Sequence, residues 1–227
     1  MRVPGNEKEW FCFTLYQGKP YMSRIDEESG VLDANILLDG QYDTYGQTMA
    51  LVSDYGNGAS KLLLRRYNNS LKKTYLVSFN IDRYGAGSAV VLDSLSSTDK
   101  YGVGEIQFSP DAGRVAMINT AKTGVIQKTE QILLWQLNDD RSGIESRTDY
   151  NQTYYSIATQ KKFLSLDFTG SGNFIYFVQS DNTKSSKKIM RIQVSGGSGT
   201  VQKASIPGAG DVRRGSDGRM YVAADGK

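Results

Sequence analysis

Histidine is absent from the 227-residue chain, and cysteine occurs once. The first absence excludes a Ser-His-Asp or Cys-His nucleophilic site within the chain. Together the two exclude a His-ligated zinc site and a thiolate cage. Acid–base chemistry would have to rest on Asp, Glu, Tyr or Lys. Cys12 can form no intrachain disulfide. Set among apolar neighbours in WFCFTLY, it is expected to be a buried thiol. No run approaches the roughly 18 apolar residues of a membrane-spanning helix. The opening MRVPGNEKEW lacks the apolar core of a signal peptide. The chain is therefore read either as intracellular or as beginning after a removed leader. Helix-forming stretches rich in Ala, Leu, Glu and Lys are missing as well. Lys and Arg number 27 against 24 Asp and Glu, a net charge of +3. So small an excess, with the signs interspersed, gives no reason to expect a nucleic-acid partner. Most of the basic pairs, Arg65-Arg66, Lys161-Lys162, Lys187-Lys188 and Arg213-Arg214, read as solvated strand faces.

What the chain does hold is 14 Tyr and 24 Gly, with Ser, Asn and Thr in quantity. That composition suits strands, tight turns and wet surfaces. It is also repetitive. IQFSPDAGRVAMI at 106–118 lies over LDFTGSGNFIYFV at 166–178 without a gap. Ile106 meets Leu166, Phe108 meets Phe168, Ser109 meets Thr169, Val115 meets Ile175 and Met117 meets Phe177. A third copy, DVRRGSDGRMYVAA at 211–224, follows after one deletion. TYLVSFNIDRYG at 74–85 repeats as ILLWQLNDDRSG at 132–143, and KIMRIQVSGGSG at 188–199 keeps the same plan.

Each unit reads as strand, polar turn, strand, longer loop, strand, turn and a weaker strand. The expected strands are Glu105–Phe108, Arg114–Asn119, Gln131–Leu137 and Ile144–Thr148 in one unit. In the next they are Phe163–Phe168, Asn173–Gln179, Lys188–Val194 and Val201–Ile206. An earlier unit has Met49–Asp54, Lys61–Tyr67, Thr74–Asn80 and Ala89–Leu92. Second strands such as FIYFV are apolar on both faces and should be buried on both. Four antiparallel strands recurring every 40 to 60 residues or so form the signature of a β-propeller. The expected fold is thus all-β: a propeller of four-stranded antiparallel blades, with an incomplete ring in this chain. Its boundaries are a partial blade at 1–45, blades at about 46–98, 99–155 and 156–207, and a partial blade at 208–227. The head, WFCFTLYQ, YMSRID and VLDANILLD, reads as a blade lacking its first strand. The tail reads as a first and second strand alone, and open edges of that kind call for further sequence or partner chains. SPDAG, TGSG and GSDG are read as fold-forming turns, in which Gly tolerates positive φ and Asp or Ser bonds nearby backbone N–H groups.

The run EIQFSPDAGRVAMIN, ILLWQLNDDRSG, FLSLDFTGSGNFIYFVQS, IMRIQV and GDVRRGSDGRMYVAADGK resembles the WD-repeat-like propellers of secreted and cell-surface Bacteroidota proteins. Such modules occur in type IX secretion cargo, gliding-associated proteins and Rhs-type toxin proteins. The likeness covers roughly residues 74–225. It implies a propeller in an extracellular or cell-surface setting, with the cytoplasm left open by the residues themselves. It implies no catalytic residue, because turn and core positions carry it.

The leading functional expectation is a non-enzymatic interaction or scaffold module, bound to a protein partner or a larger assembly through loops at two rims. A structural subunit of a larger assembly is a closely related reading. Candidate contacts are Tyr42 and Tyr45 in YDTY, and Tyr150, Tyr154 and Tyr155 in YNQTYY, as Tyr clusters stack on peptides or sugars. Blade-to-blade packing is the alternative role for them. Arg213 and Arg214 fall on an inner strand and could line an axial channel and hold an anion. The second expectation is a glycan hydrolase or lyase using paired carboxylates, with Asp139-Asp140 and Glu27-Glu28 as candidates by residue type. NDDRSG and DEESG offer oxygen ligands without the spacing of a calcium loop, so they are read as solvated turns. No cofactor, no metal site and no membrane span is expected.

Overall fold

A computed structural model describes residues 1–39, 43–53, 60–95, 104–122, 128–154, 161–181, 187–194, 202–204 and 209–224. The described chain is built from strands and turns, and no helix among these residues is long and apolar enough to cross a membrane. The chain divides into two compact units, Met1–Gly102 and Val103–Lys227.

In the first unit, β1 (Glu9–Tyr16), β2 (Lys19–Asp26) and β3 (Gly30–Leu37) form an antiparallel sheet in that order. These are the three strands expected of the head, and one isolated bridge adds to them. Arg2 bridges to Trp10, and the Phe11 N–H donates to the Met1 carbonyl at 2.8 Å. Strand alternation then fixes the faces. Phe11 and Met22 turn inward, while Cys12 pairs across to Ser23 on the opposite face and is exposed. The expectation of a buried thiol is thus corrected by parity: its apolar neighbours take the inner face. β3 is exposed along its whole length as the edge of this sheet.

The second sheet runs β4 (Thr44–Val52), β5 (Ser60–Asn68) and β6 (Lys73–Asp82). Its outer position is shared by β7 (Gly85–Ala86) and β8 (Val90–Leu95), which both pair with β6. Val3, Phe11, Met22, Tyr45, Leu62, Leu64, Val77, Phe79 and Ile81 form one core. Each large apolar side chain removed from water there contributes about 1.5–3 kcal/mol. Arg65 and Arg66 do not form a solvated face. β5 is a central strand, so Arg65 is buried, and Arg66 meets Asp39 at 3.6 Å and Asp43 at 3.4 Å.

The second unit repeats one plan. Its first sheet contains β9 (Ile106–Phe108), β10 (Arg114–Lys122), β11 (Lys128–Leu137) and β12 (Ile144–Tyr154), all antiparallel neighbours. Its second contains β13 (Lys161–Phe168), β14 (Phe174–Asp181), β15 (Lys187–Gln193) and β16 (Gln202–Ala204). β17 (Ala209–Arg214) and β18 (Met220–Ala224) form a hairpin. Ala116, Ile118, Ile132 and Leu134 of the first sheet pack on Phe163, Leu166, Phe168, Ile175, Phe177 and Ile192 of the second. Val178 and Ile189 in turn pack on Ala209 and Val212 of the hairpin. The doubly apolar strand β10 is buried on both faces, with Val115, Ala116, Met117 and Ile118 all at 1% exposure or less.

Candidate functional site

The repeated turns determine where the polar groups of the second unit gather. Ser109–Gly113 reverses β9 into β10. The Ser109 N–H donates to the Arg114 carbonyl at 2.9 Å, and the Arg114 N–H donates to Ser109 Oγ at 2.9 Å. Asp111 accepts the Gly113 N–H at 3.1 Å and the Ser109 hydroxyl. Desolvation pushes the Asp111 carboxyl up, but the Ser109 hydroxyl, the Gly113 amide and Arg114 outweigh it and hold the carboxyl below its ordinary value. The equivalent Thr169 and Gly215 close their hairpins through N–H bonds to Phe174 and Arg219 at 2.9 and 2.8 Å. Adjacent turns also touch. Arg114 Nη1 donates to the Gly172 carbonyl at 3.2 Å, and a Cβ built on Gly170 would lie 3.0 Å from the Gly218 carbonyl.

Because the turns stack, the first strands of the repeats, β9, β13 and β17, lie side by side, and polar side chains join them. Glu105 Oε2 accepts the Leu166 N–H at 2.8 Å. At the equivalent position of the next repeat, Ser165 Oγ accepts the Val212 N–H at 3.1 Å. Asp167 Oδ2 accepts the Arg214 N–H at 2.8 Å, and its Oδ1 accepts the Phe168 N–H at 2.7 Å. Asp167 is 7% exposed. Burial pushes its carboxyl above the ordinary value, against the two amides and the Arg214 charge. Asp211, equivalent to Glu105 and Ser165, accepts the Val212 N–H at 2.8 Å and the Arg213 Nε at 3.1 Å. The Arg213 guanidinium also pairs with Glu105, so it lies between two carboxylates while staying 48% exposed.

Polar side chains thus join these three strands, and Arg213 and Arg214 lie on the third of them. Arg213 is neutralised there rather than offered alone to an anion, and Arg214 contributes its backbone N–H to the join. Glu105, Ser165, Asp167 and Asp211 were not singled out from the sequence. Their signal was present, since 105, 165 and 211 are one position of the repeat and each carries a polar side chain.

The other sequence candidates separate. Tyr45 is 2% exposed, lies in the first unit's core and donates its hydroxyl to Asp39, which corrects its role from rim contact to packing. Burial and the Asp39 carboxylate push its phenol well above the usual range. β4 alternation turns Tyr45 inward against Phe11 and Leu64, which is the physical reason. Tyr150 is half-buried against the core between the two four-stranded sheets. Tyr154 ends β12 opposite Lys128, and its side chain lies outside the described residues, as do Tyr42 and Tyr155 entirely. Glu27 accepts the Trp10 indole N–H at 2.8 Å and Glu28 pairs with Lys8 at 2.5 Å. In the second unit, Asp140 accepts the Ser142 N–H at 2.9 Å within the turn that follows β11. Among the described residues, no group of three or more His, Cys, Asp or Glu is placed to hold a metal ion.

No protein-family model and no curated protein matches the chain. Solved structures do match its fold. A puromycin-hydrolyzing peptidase of Mycobacterium tuberculosis superposes with a TM-score of 0.56 at 12% identity, over 96% of this chain and 35% of its own. A structure from a study of two prolyl endopeptidases gives 0.53 at 13% identity, over 98% of this chain and 31% of its own. The Dos1 propeller gives 0.50 at 9% identity, over 94% of this chain and 64% of its own. The chain therefore spans about a third of the length of those peptidases. At such identities the likeness concerns fold alone: the protein is all-β, and the folds it resembles include a propeller.

Proposed function

We propose that the chain forms part of a β-propeller and works as a non-enzymatic interaction or scaffold module. The sheets are read as blades over about 46–98, 99–155 and 156–207, with partial blades at 1–45 and 208–227 and the ring incomplete within the chain. The observation that supports this role is the engagement of the inner-strand charges. Glu105, Asp167 and Asp211 each bind backbone N–H groups or Arg213. Carboxylates held in this way join strands rather than serve as an acid and a base on a substrate. Recognition then falls to the loops, where a rigid β scaffold presents variable residues. A protein partner or larger assembly is the first expected ligand and a glycan the second. A secreted or cell-surface setting rests on the turn sequences SPDAG and GSDGRMYVA.

The test is turnover against binding. The purified chain should leave a panel of glycosides and peptides intact, while binding at least one member of a protein or glycan array saturably. Hydrolysis that disappears in Asp167→Asn or Asp211→Asn would contradict the non-enzymatic reading.

A further inference from the structure

The two four-stranded sheets of the second unit are joined at their inner strands, where Glu105 takes the Leu166 amide. Farther out, between β11 and β12 on one side and β13, β14 and β15 on the other, a pocket of about 230 Å³ opens. Ile132, Phe163, Phe177 and Met190 form its apolar walls, and Tyr150 and Asn151 reach it from β12. Every one of these described lining residues belongs to a strand.

The lining constrains the occupant. A cavity of about 150 Å³ is enough to hold benzene, so this one takes a single ring with a small substituent. Phe163 and Phe177 stand edge to face at 4.9 Å, which leaves ring faces and edges for a third aromatic group. The Met190 thioether favours the edge of a ring. Among the described lining residues, Tyr150 and Asn151 carry the polar groups. Asn151 Oδ1 is already taken by Gln131 Nε2 at 2.7 Å. The Tyr150 hydroxyl has no hydrogen-bond partner among the described residues, and burial keeps the phenol in its neutral form as both donor and acceptor.

We propose that this pocket is a binding site for one aromatic ring carrying a single hydrogen-bonding substituent, which pairs with the Tyr150 hydroxyl. The site stands on the sheet geometry and does not depend on the scaffold role. Its ligand is either a free phenolic molecule or a tyrosine side chain of a partner polypeptide, and the two present the same chemistry.

Titration of the full chain, labelled at methionine methyl groups, with p-cresol tests it. The Met190 methyl resonance should shift saturably. Met190→Trp, which fills the pocket, should abolish binding while the amide spectrum stays folded. Tyr150→Phe, which keeps the walls, should weaken p-cresol about tenfold and leave toluene unchanged. A shift that does not saturate would overturn the proposal. So would equal p-cresol affinity in Tyr150→Phe, or a 4-methylcyclohexanol affinity equal to that of p-cresol. Competition by an N-acetyl-Gly-Tyr-Gly-amide peptide would assign the ligand to a partner chain. Exclusion of that peptide with p-cresol still bound would assign it to a free small molecule.

Discussion

The turns at 109–113 and 169–173 share a backbone and differ at every residue. In both, the first residue closes the hairpin by its amide at 2.9 Å, and its hydroxyl accepts the amide five residues on. In both, the fourth residue is left-handed, with φ of 54° at Ala112 and 71° at Gly172. Asp111 clamps the first turn with its carboxylate, whereas Ser171 holds the second with a neutral hydroxyl, 3.4 Å from the Asn173 N–H and 3.2 Å from the Thr169 hydroxyl. The joins between inner strands vary in the same way, a long Glu105 in one repeat and a short Ser165 in the next. The repeat therefore preserves positions of backbone and polar atoms while the residues that supply them change. Polar groups in the most eye-catching motif, Ser109-Pro110-Asp111, serve the hairpin.

The sharpest break in the equivalence is at position 104 against 164. A Cβ on Gly104 would sit 1.9 Å from the Ile118 carbonyl, while Leu164 is exposed because β13 bulges between Phe163 and Leu166. Gly104→Ala should therefore destabilise by about 3 kcal/mol, the upper range of overpacking, and Leu164→Ala by under about 0.5 kcal/mol in urea unfolding. Equal effects would show that the two inner strands are not built differently there.

Next in size is position 167 against 107. Asp167→Ala takes the acceptor from a buried amide, Phe168, and a part-buried one, Arg214, and should cost about 2–3 kcal/mol, against less than about 0.5 kcal/mol for Gln107→Ala. The two aspartates that differ in setting should also differ in pH response. Asp167 is raised by burial, so its contribution is fully present below the ordinary aspartate range and is lost as pH rises through the higher folded value. Asp111 is lowered, so its contribution is present above that range and is lost as pH falls through the lower folded value. Wild-type stability measured against Asp167→Asn and Asp111→Asn across pH 2–7 or so should give slopes of opposite sign.

Smallest is the left-handed residue of the turns. Ala112→Gly should raise stability by about 0.5–1 kcal/mol, and Gly172→Ala should lower it by about 1 kcal/mol, since a Cβ there meets nothing nearer than 3.5 Å and only the backbone cost remains.

Strand positions and the repeat were legible in the sequence because alternation and turn residues act locally. The expected strands at Lys61–Tyr67, Thr74–Asn80 and Gln131–Leu137 all lie inside β5, β6 and β11. Parity was harder where both neighbours are apolar, which is why Cys12 was assigned to the wrong face. Arg65 and Arg66 were misjudged because a central strand has no solvated face, and centrality is a property of the sheet order rather than of the segment. Tyr45 went the same way. Of the polar centre, Arg213 and Arg214 were legible as charged residues on an inner strand. Asp211 is two residues from Arg213, but Asp167 and Glu105 lie 47 and 108 residues from the arginines they join, and the stacking of turns brings them together.

The central claim is that inner-strand side chains hold successive repeats together by accepting one another's amides. Residue-resolved amide exchange tests it most directly. In the wild type, Leu166, Val212 and Arg214 should be protected. Glu105→Ala should lower protection of Leu166 at least tenfold while leaving Val212 as it was, and Ser165→Ala should do the reverse. Unchanged Leu166 exchange in Glu105→Ala, or loss spread evenly over all three amides, would contradict it.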